Sequence, residues 1–237
     1  MEETHRASAE LIQSLLMNAQ VSPAGFRSAL LGVPPLERDA WVNQVFGLDA
    51  LPDDGPELPP GCVPYLPCPV DALLRLVEFA GVQASDVFVD VGAGLGRAAA
   101  LVHLLTGASA IGLEIQPGLV LAARELTRRL NLSRVSFVQG DAASLAGHMV
   151  IGSVFFLYCP FNGERLAKVM ADLEPIARTR EILVCTVDLP LPPCPWLTLV
   201  SPPSEDLAVY RGTPLGLPEG WPSWGTRRSL SSPREPR

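Results

Sequence analysis

Lysine, histidine and paired cysteines are scarce in this 237-residue sequence. Lys168 is the single lysine, and the three histidines are scattered along the chain. The five cysteines are odd in number and form no C-x-x-C pair, so we expect neither a disulfide framework nor a bound metal. G-x-S-x-G and P-loop signatures are also missing, which leaves hydrolase and phosphotransferase chemistry without support.

Long apolar runs are absent as well. None reaches the roughly 20 residues needed to span a bilayer, and the first residues lack the basic start and apolar run of a signal peptide. We therefore expect a cytoplasmic protein without membrane association. Hydrophobic residues make up 48% of the chain, enough for a globular core. The 25 acidic and 18 basic side chains give a net charge of −7, which disfavours nucleic acid as a partner.

The two ends of the chain differ from its middle. Short helices are predicted over about 5–19 and 36–46 from the spacing of their apolar residues. Prolines crowd residues 52–69, where neither a helix nor a central strand should form. We therefore predict a helical N-terminal cap and proline-rich loop over 1–69. Beyond 212 the apolar period is lost, and 213–237 is predicted to be a disordered tail.

Between these ends, short apolar runs alternate with helical segments. This alternation predicts βαβ units and an α/β fold with a doubly wound, mostly parallel sheet, buried on both faces. Two later runs, 196–200 and 207–210, flank a pair of prolines and are expected to form a hairpin at the sheet edge. We take 70–212 as one domain. The predicted strands cover 87–89, 110–113, 135–138, 154–158 and 182–185.

A glycine-rich turn follows the first predicted strand. Such a turn lets the backbone approach a ligand, and the next helix presents its free N–H groups to that ligand. The turn reads D-x-G-x-G-x-G, with an acid two residues before the first glycine. The dinucleotide fingerprint G-x-G-x-x-G would instead need its third glycine at Arg97. The turn consists of Asp90, Gly92, Gly94 and Gly96.

Two more acids stand at the ends of the next strands. Glu114 ends the second strand, where a carboxylate can accept hydrogen bonds from both hydroxyls of a ribose. Asp141 follows the third strand, where it can accept a hydrogen bond from the exocyclic amine of adenine. The pattern therefore favours an adenosine-containing ligand.

These motifs resemble those of the class I S-adenosylmethionine-dependent methyltransferases. V-F-V-D-V-G-A-G-L-G is similar to the first motif of that family, G-L-E to its second and Q-G-D-A to its third, over about 86–187 and more loosely to 212. The resemblance implies methyltransferase activity with S-adenosylmethionine as the cofactor. It also implies that the methionine part lies on Asp90 and on Gly92, Gly94 and Gly96, the ribose on Glu114 and the adenine on Asp141.

The acceptor side is less defined. Ligands of open α/β sheets lie at the carboxyl ends of the strands, so the end of the fourth strand should face the acceptor. Tyr158, Phe161 and Asn162 are the candidate wall residues there, and Tyr65 is a candidate lid. The D-P-P-Y and N-P-P-Y signatures are absent, which disfavours amide and base nitrogens as acceptors. No residue is identified as a general base.

Several hypotheses on the acceptor and the activity stay open. A small-molecule acceptor is preferred over a protein. The order Tyr65-x-Pro67-x-Pro69, helix and glycine turn resembles the non-SET lysine methyltransferases related to the telomeric-silencing enzyme, so a protein lysine is one alternative. An NAD-dependent oxidoreductase and a non-catalytic cofactor-binding subunit are the others. The oligomeric state is left open.

Overall fold

A seven-stranded sheet forms the centre of the computed structural model, which describes residues 1–48 and 58–214. The apolar runs become strands because parallel strands covered on both faces need nearly continuous apolar sequence. All six residues of β5, for example, are buried. The strands are β1 (Val87–Val91), β2 (Ser109–Glu114), β3 (Val135–Gln139), β4 (Val154–Tyr158), β5 (Ile182–Val187), β6 (Leu197–Leu199) and β7 (Leu207–Gly212).

The strand order is β3-β2-β1-β4-β5-β7-β6. The first five strands in this order are parallel, whereas β7 is antiparallel to β5 and β6. Strand order therefore reverses between β1 and β4, and a crevice for ligands is expected outside their carboxyl ends. The topology confirms the predicted α/β, doubly wound sheet with its edge hairpin.

Helices cover both faces of the sheet and extend the fold at its N-terminus. The face that includes Phe88 and Phe156 packs against α4 and α5, and the opposite face, with Val89 and Phe155, packs against α7 and α8. The helices are α1 (Glu3–Met17), α2 (Pro23–Leu31), α3 (Arg38–Phe46), α4 (Val70–Ala80), α5 (Arg97–Thr106), α6 (Pro117–Arg129), α7 (Ala142–Leu145) and α8 (Gly163–Thr179), with single 3-10 turns at Pro35–Glu37 and Ala146–His148.

The N-terminal extension contains one more helix than the sequence analysis predicts. The Ser22 hydroxyl caps α2 by accepting a hydrogen bond from the N–H of Gly25, and Pro23 occupies its first turn. Phe26 of α2 and Trp41 of α3 are fully buried in the same apolar cluster as α4 and α5. The extension and the sheet thus share one core.

Two predicted features lie partly outside the described residues. These are the first part of the proline-rich loop, 52–57, and most of the C-terminal tail, 215–237. Within the two described ranges, no helix is both long enough and apolar enough to cross a membrane.

Candidate active site

The glycine turn joins β1 to α5 at the carboxyl edge of the sheet. Gly92 and Gly94 have φ angles of +88° and +53°, in the left-handed region that favours glycine. A Cβ atom on Gly94 would lie 2.1 Å from a ring carbon of Tyr65, and one on Gly92 would lie 2.4 Å from Cβ of Pro160. The turn is therefore packed so closely that neither position has room for a side chain.

A cavity opens above this turn. Its empty volume is about 850 Å³, counting the part that is open to solvent. The cavity brings Asp90, Glu114 and Asp141 together with Gly92 and Gly94. The wall on the β4 side is largely apolar and aromatic, and it includes Phe156, Tyr158, Cys159, Pro160 and Phe161. The ring of Tyr65 lies in the same lining, against Gly94.

Glu114 is buried and already holds two backbone groups. Its Oε2 accepts a hydrogen bond from the N–H of Gly94, and its Oε1 accepts one from the N–H of Gln116, both at 2.8 Å. An ionised carboxylate offers about four acceptor positions. Glu114 can therefore fix the glycine turn and still accept hydrogen bonds from a ligand in the cavity.

Asp90 is the most deeply buried acid of the site, with 3% of its surface exposed. Its Oδ2 atom is buried without a hydrogen-bond partner in the structure. Burial raises the pKa of this carboxyl to about 7, opposed by a hydrogen bond from the backbone of Ala99 and assisted by the charge of Glu114. A cationic ligand group beside Oδ2 would supply the missing partner.

Asp141 begins the short helix α7 and is shared with α8. Its Oδ1 accepts a hydrogen bond from the N–H of Ala143 at 3.0 Å, which caps the helix. Both of its carboxylate oxygens also accept from Nη1 of Arg165, at 2.8 Å each. Arg165 has no signal in the sequence, because nothing there shows that the first turn of α8 faces α7.

The cavity is covered by residues 58–69, here named the strap. Cys62 forms an antiparallel bridge with Phe161, the N–H of Val63 donates to the carbonyl of Pro160 at 3.2 Å, and the N–H of Asn162 donates to the carbonyl of Gly61 at 3.1 Å. These contacts fasten the strap to the chain that follows β4. The described part of the predicted proline-rich loop therefore lies over the ligand site.

Arg97, the first residue of α5, connects the strap to the N-terminal helices. Its guanidinium donates to the carbonyl of Cys68 at 2.5 Å, to the Asn43 side chain at 3.0 Å and to the Asp39 carboxylate at 2.7 Å. Only 3% of Arg97 is exposed, so these partners are needed to satisfy a buried charge. The sequence marks Arg97 only as the position where the dinucleotide fingerprint G-x-G-x-x-G would need its third glycine.

The predicted acceptor residues lie in different environments. Tyr158 and Phe161 line the cavity, Phe161 being buried and Tyr158 half-buried. Burial raises the pKa of the Tyr158 phenol to about 12, so it stays protonated at neutral pH and can donate a hydrogen bond. Asn162 does not line the cavity. It is exposed at the start of α8, and its backbone N–H donates to the carbonyl of Gly61 in the strap.

Metal binding and charge-pairing with an anionic acceptor have little basis among the described residues of this site. Among the described residues, no three His, Cys, Asp or Glu side chains are grouped as metal ligands would be. The charged residues of the described lining are Asp90, Glu114 and Asp141 with Arg97. Because hydrogen bonds to Asp39, Asn43 and Cys68 occupy the guanidinium, the acceptor side has no free cation in this lining.

The sheet order, the glycine turn and the strand-end acids define a class I S-adenosylmethionine-dependent methyltransferase. The chain belongs to the protein-L-isoaspartate (D-aspartate) O-methyltransferase family, whose model matches residues 10–147, more than half of the sequence. This assignment removes the oxidoreductase alternative. A search of curated proteins gave no match.

Two methyltransferases are among the solved structures that resemble the chain. An RNA methyltransferase from Salinibacter ruber, in complex with S-adenosyl-L-homocysteine, is 28% identical with a TM-score of 0.51, over 65% of this chain and 97% of that one. A putative methyltransferase, yhhF, from Escherichia coli is 20% identical with a TM-score of 0.51, over 66% of this chain and 91% of that one. The second likeness concerns the fold alone.

Proposed function

We propose that this methyltransferase holds its cofactor on the three acids and the glycine turn. The buried, unpartnered Oδ2 of Asp90 suits the ammonium of the methionine part. Gly94 lines the same cavity, where its backbone lies against the ring of Tyr65. Glu114 retains acceptor positions for the ribose hydroxyls, and Asp141 retains one for the adenine amine. The residues present thus fit S-adenosylmethionine.

Catalysis by this chain is mainly a matter of orientation and exclusion of water. When bound, S-adenosylmethionine supplies a methyl group that its positive sulfur already activates. The acids and the glycine turn fix the position of that group, and the strap shields it from solvent. The protonated Tyr158 hydroxyl can orient an acceptor by donating a hydrogen bond to it.

The acceptor is, in this proposal, a small molecule with an uncharged nucleophile and an apolar or aromatic body. The single observation that carries this proposal is the strap, which turns the acceptor side into a covered cavity with aromatic walls. An amine that arrives deprotonated needs no general base, in keeping with the raised pKa of both Tyr65 and Tyr158, each about 12. The net charge of −7 opposes the binding of RNA phosphates.

A protein carboxylate is the second candidate acceptor. It is favoured by the family, whose description names isoaspartyl and D-aspartyl groups of proteins, and whose match includes the strap. It is disfavoured by the lining, where the charge of Arg97 is taken up by its own partners. A buried carboxylate would have no cation to offset its desolvation there.

Methyl transfer from radiolabelled S-adenosylmethionine tests these proposals. The purified protein is incubated with a metabolite extract below 1 kDa, a protein fraction, an isoaspartyl peptide and total RNA, each in a separate reaction. We expect label in the metabolite fraction at least tenfold above a Gly94→Val control. Label in the isoaspartyl peptide or the RNA alone would contradict the small-molecule proposal.

Asp90 makes cofactor binding depend on pH. The ammonium needs the ionised carboxyl, whose pKa in the folded protein without cofactor is about 7, so affinity should rise up to tenfold per pH unit toward pH 7 and level off above it. The pKa of Asp90 is higher in the folded than in the unfolded chain. The unliganded protein should therefore lose stability as the pH rises from about 4 to 7. Calorimetric titration with S-adenosylhomocysteine at pH 5.5–8.5 measures the slope.

The control for this prediction is Asp90→Asn, which has no charge to titrate. It should bind weakly with little pH dependence, and it should be more stable than the wild type at pH 8, because the buried charge of Asp90 is removed. Equal wild-type affinities at pH 6 and pH 8 would contradict the role of Asp90.

Tyr158 is expected to act on the acceptor and not on the cofactor. Tyr158→Ala should lower methyl transfer to the metabolite fraction at least tenfold and change the affinity for S-adenosylhomocysteine less than twofold, because the side chain lines the β4 side of the cavity. Phe161→Ala should lower transfer but also stability, since Phe161 is buried.

Asn162→Ala is the matched control, because Asn162 is close in sequence yet outside the cavity lining. It should leave both measurements unchanged. If Tyr158→Ala weakens cofactor binding as much as it weakens transfer, the end of β4 belongs to the cofactor site.

A cytoplasmic location and the domain boundaries at 69 and 212 stay predictions from the sequence.

A further inference from the structure

Arg165 contacts both the predicted adenine site and the strap. Its Nη1 lies 2.8 Å from each oxygen of Asp141, and its Nε donates to the carbonyl of Pro60 at 3.1 Å. Asp141 lines the cavity, whereas Pro60 is exposed near the start of the strap. One half-buried side chain of α8 therefore links two parts of the site that are 81 residues apart in sequence, Pro60 and Asp141.

The contacts of Asp141 leave room for one more donor. An ionised carboxylate offers about four acceptor positions. Oδ1 accepts from the N–H of Ala143 and from Nη1 of Arg165, and Oδ2 accepts from Nη1 alone. The remaining position on Oδ2 suits one N–H of an adenine amine, whereas a carbonyl oxygen at the same place on the base would face a carboxylate with no proton to offer.

The contact with Pro60 fastens one end of the strap. Next to it, the N–H of Cys62 donates to the carbonyl of Pro59, and that of Val63 to the carbonyl of Pro160. The other end of the strap is fastened separately, because Arg97 donates to the carbonyl of Cys68. The two ends can therefore respond differently to the loss of either arginine.

We propose that Arg165 is a positioning residue that fixes Asp141 for a 6-amino purine and couples adenine binding to closure of the first part of the strap. This inference rests on the proposed cofactor site. Adenine on Oδ2 orders Asp141, Asp141 orders the guanidinium, and the guanidinium holds the carbonyl of Pro60. Cofactor specificity and strap closure are thus properties of the same side chain.

The test compares S-adenosylhomocysteine with S-inosylhomocysteine, in which a carbonyl replaces the 6-amino group. The wild type should bind the adenosyl compound at least tenfold more tightly. In Arg165→Ala this preference should fall to threefold or less. Lys168→Ala, which removes an exposed partner of Asp172 on the same helix, should keep the wild-type preference.

Arg165→Lys separates the two contacts. Its single nitrogen can replace Nη1 at Asp141 but cannot also donate from the position of Nε. Preference for the 6-amino compound should therefore persist in Arg165→Lys, while the contact with Pro60 is lost. Hydrogen exchange of the Cys62 and Val63 amides reports on this second contact. The Leu73 amide, which donates to the carbonyl of Pro69 at the other end of the strap, is the reference.

S-adenosylhomocysteine should slow exchange at Cys62 and Val63 about tenfold in the wild type, and less than threefold in Arg165→Ala and Arg165→Lys. Protection at Leu73 should persist in every variant. If Arg165→Ala keeps both the wild-type preference for the 6-amino compound and the wild-type protection at Cys62 and Val63, the role of Arg165 is overturned, while the proposed cofactor site still stands. Absence of binding to the wild-type protein would instead overturn the proposed cofactor site, and the inference with it.

Discussion

A Gly94→Val variant is expected to lose all measurable affinity for S-adenosylhomocysteine while its circular dichroism spectrum stays native. The φ angle of +53° costs a residue with a Cβ atom about 1–2 kcal/mol. The new Cβ would lie 2.1 Å from the ring of Tyr65, so the ring or the turn must move. Either movement disturbs the surface on which the methionine part is proposed to lie. Isothermal calorimetry and thermal unfolding measure the two effects.

Gly118→Val is the matched control. A Cβ atom on Gly118 meets nothing within 4 Å, and its φ angle is outside the left-handed region. This variant should bind like the wild type. A double variant, Gly94→Val with Tyr65→Ala, removes the clashing ring and should regain stability without regaining affinity. Binding by Gly94→Val at wild-type strength would show that the turn is only a structural corner.

Glu114→Ala is expected to damage both stability and binding. It leaves the N–H groups of Gly94 and Gln116 without their acceptor in a buried environment, at about 1–3 kcal/mol each. The free energy of unfolding should therefore fall by about 2–6 kcal/mol. Loss of the ribose contact should weaken S-adenosylhomocysteine by at least tenfold, since a hydrogen bond to a charged group contributes about 1.5–3 kcal/mol.

Glu114→Gln separates the two roles, because an amide keeps one acceptor oxygen but turns an NH₂ group toward the second N–H. It should be intermediate in stability and still bind weakly. Glu125→Ala, on the exposed side of α6, should change stability by less than about 0.5 kcal/mol. Urea unfolding measures these differences, and a Glu114→Ala protein with wild-type affinity would contradict the ribose assignment.

The sequence predicts the sheet well for a physical reason. Buried parallel strands need continuous apolar runs, and the helices between them need a regular apolar face, so both leave strong local patterns. The glycine turn is equally visible, since left-handed residues such as Gly94 are restricted to few residue types. Helix α2 is not predicted from the apolar spacing, although Ser22 and Pro23 carry its start signal.

The contacts across the site could not be predicted in the same way. Arg165 meets Asp141 only because α8 packs against α7, and Arg97 meets Asp39 only because the N-terminal helices fold back on α5. Neither contact has a local pattern. Asn162 is the opposite case, in which a local pattern predicts a contact. Its position just after β4 predicts a wall residue of the cavity, whereas its side chain is exposed to solvent.

Because Arg97 forms buried hydrogen bonds with the N-terminal helices, we expect the sheet and its flanking helices not to fold stably without them. Residues 70–212 expressed alone would carry a guanidinium stripped of Asp39, Asn43 and Cys68, beside apolar surface that Trp41 now covers. The helix that begins at Arg97 starts at the glycine turn itself. Divergence in the N-terminal helices can therefore reshape the cofactor end of the molecule without any substitution in the three signature motifs.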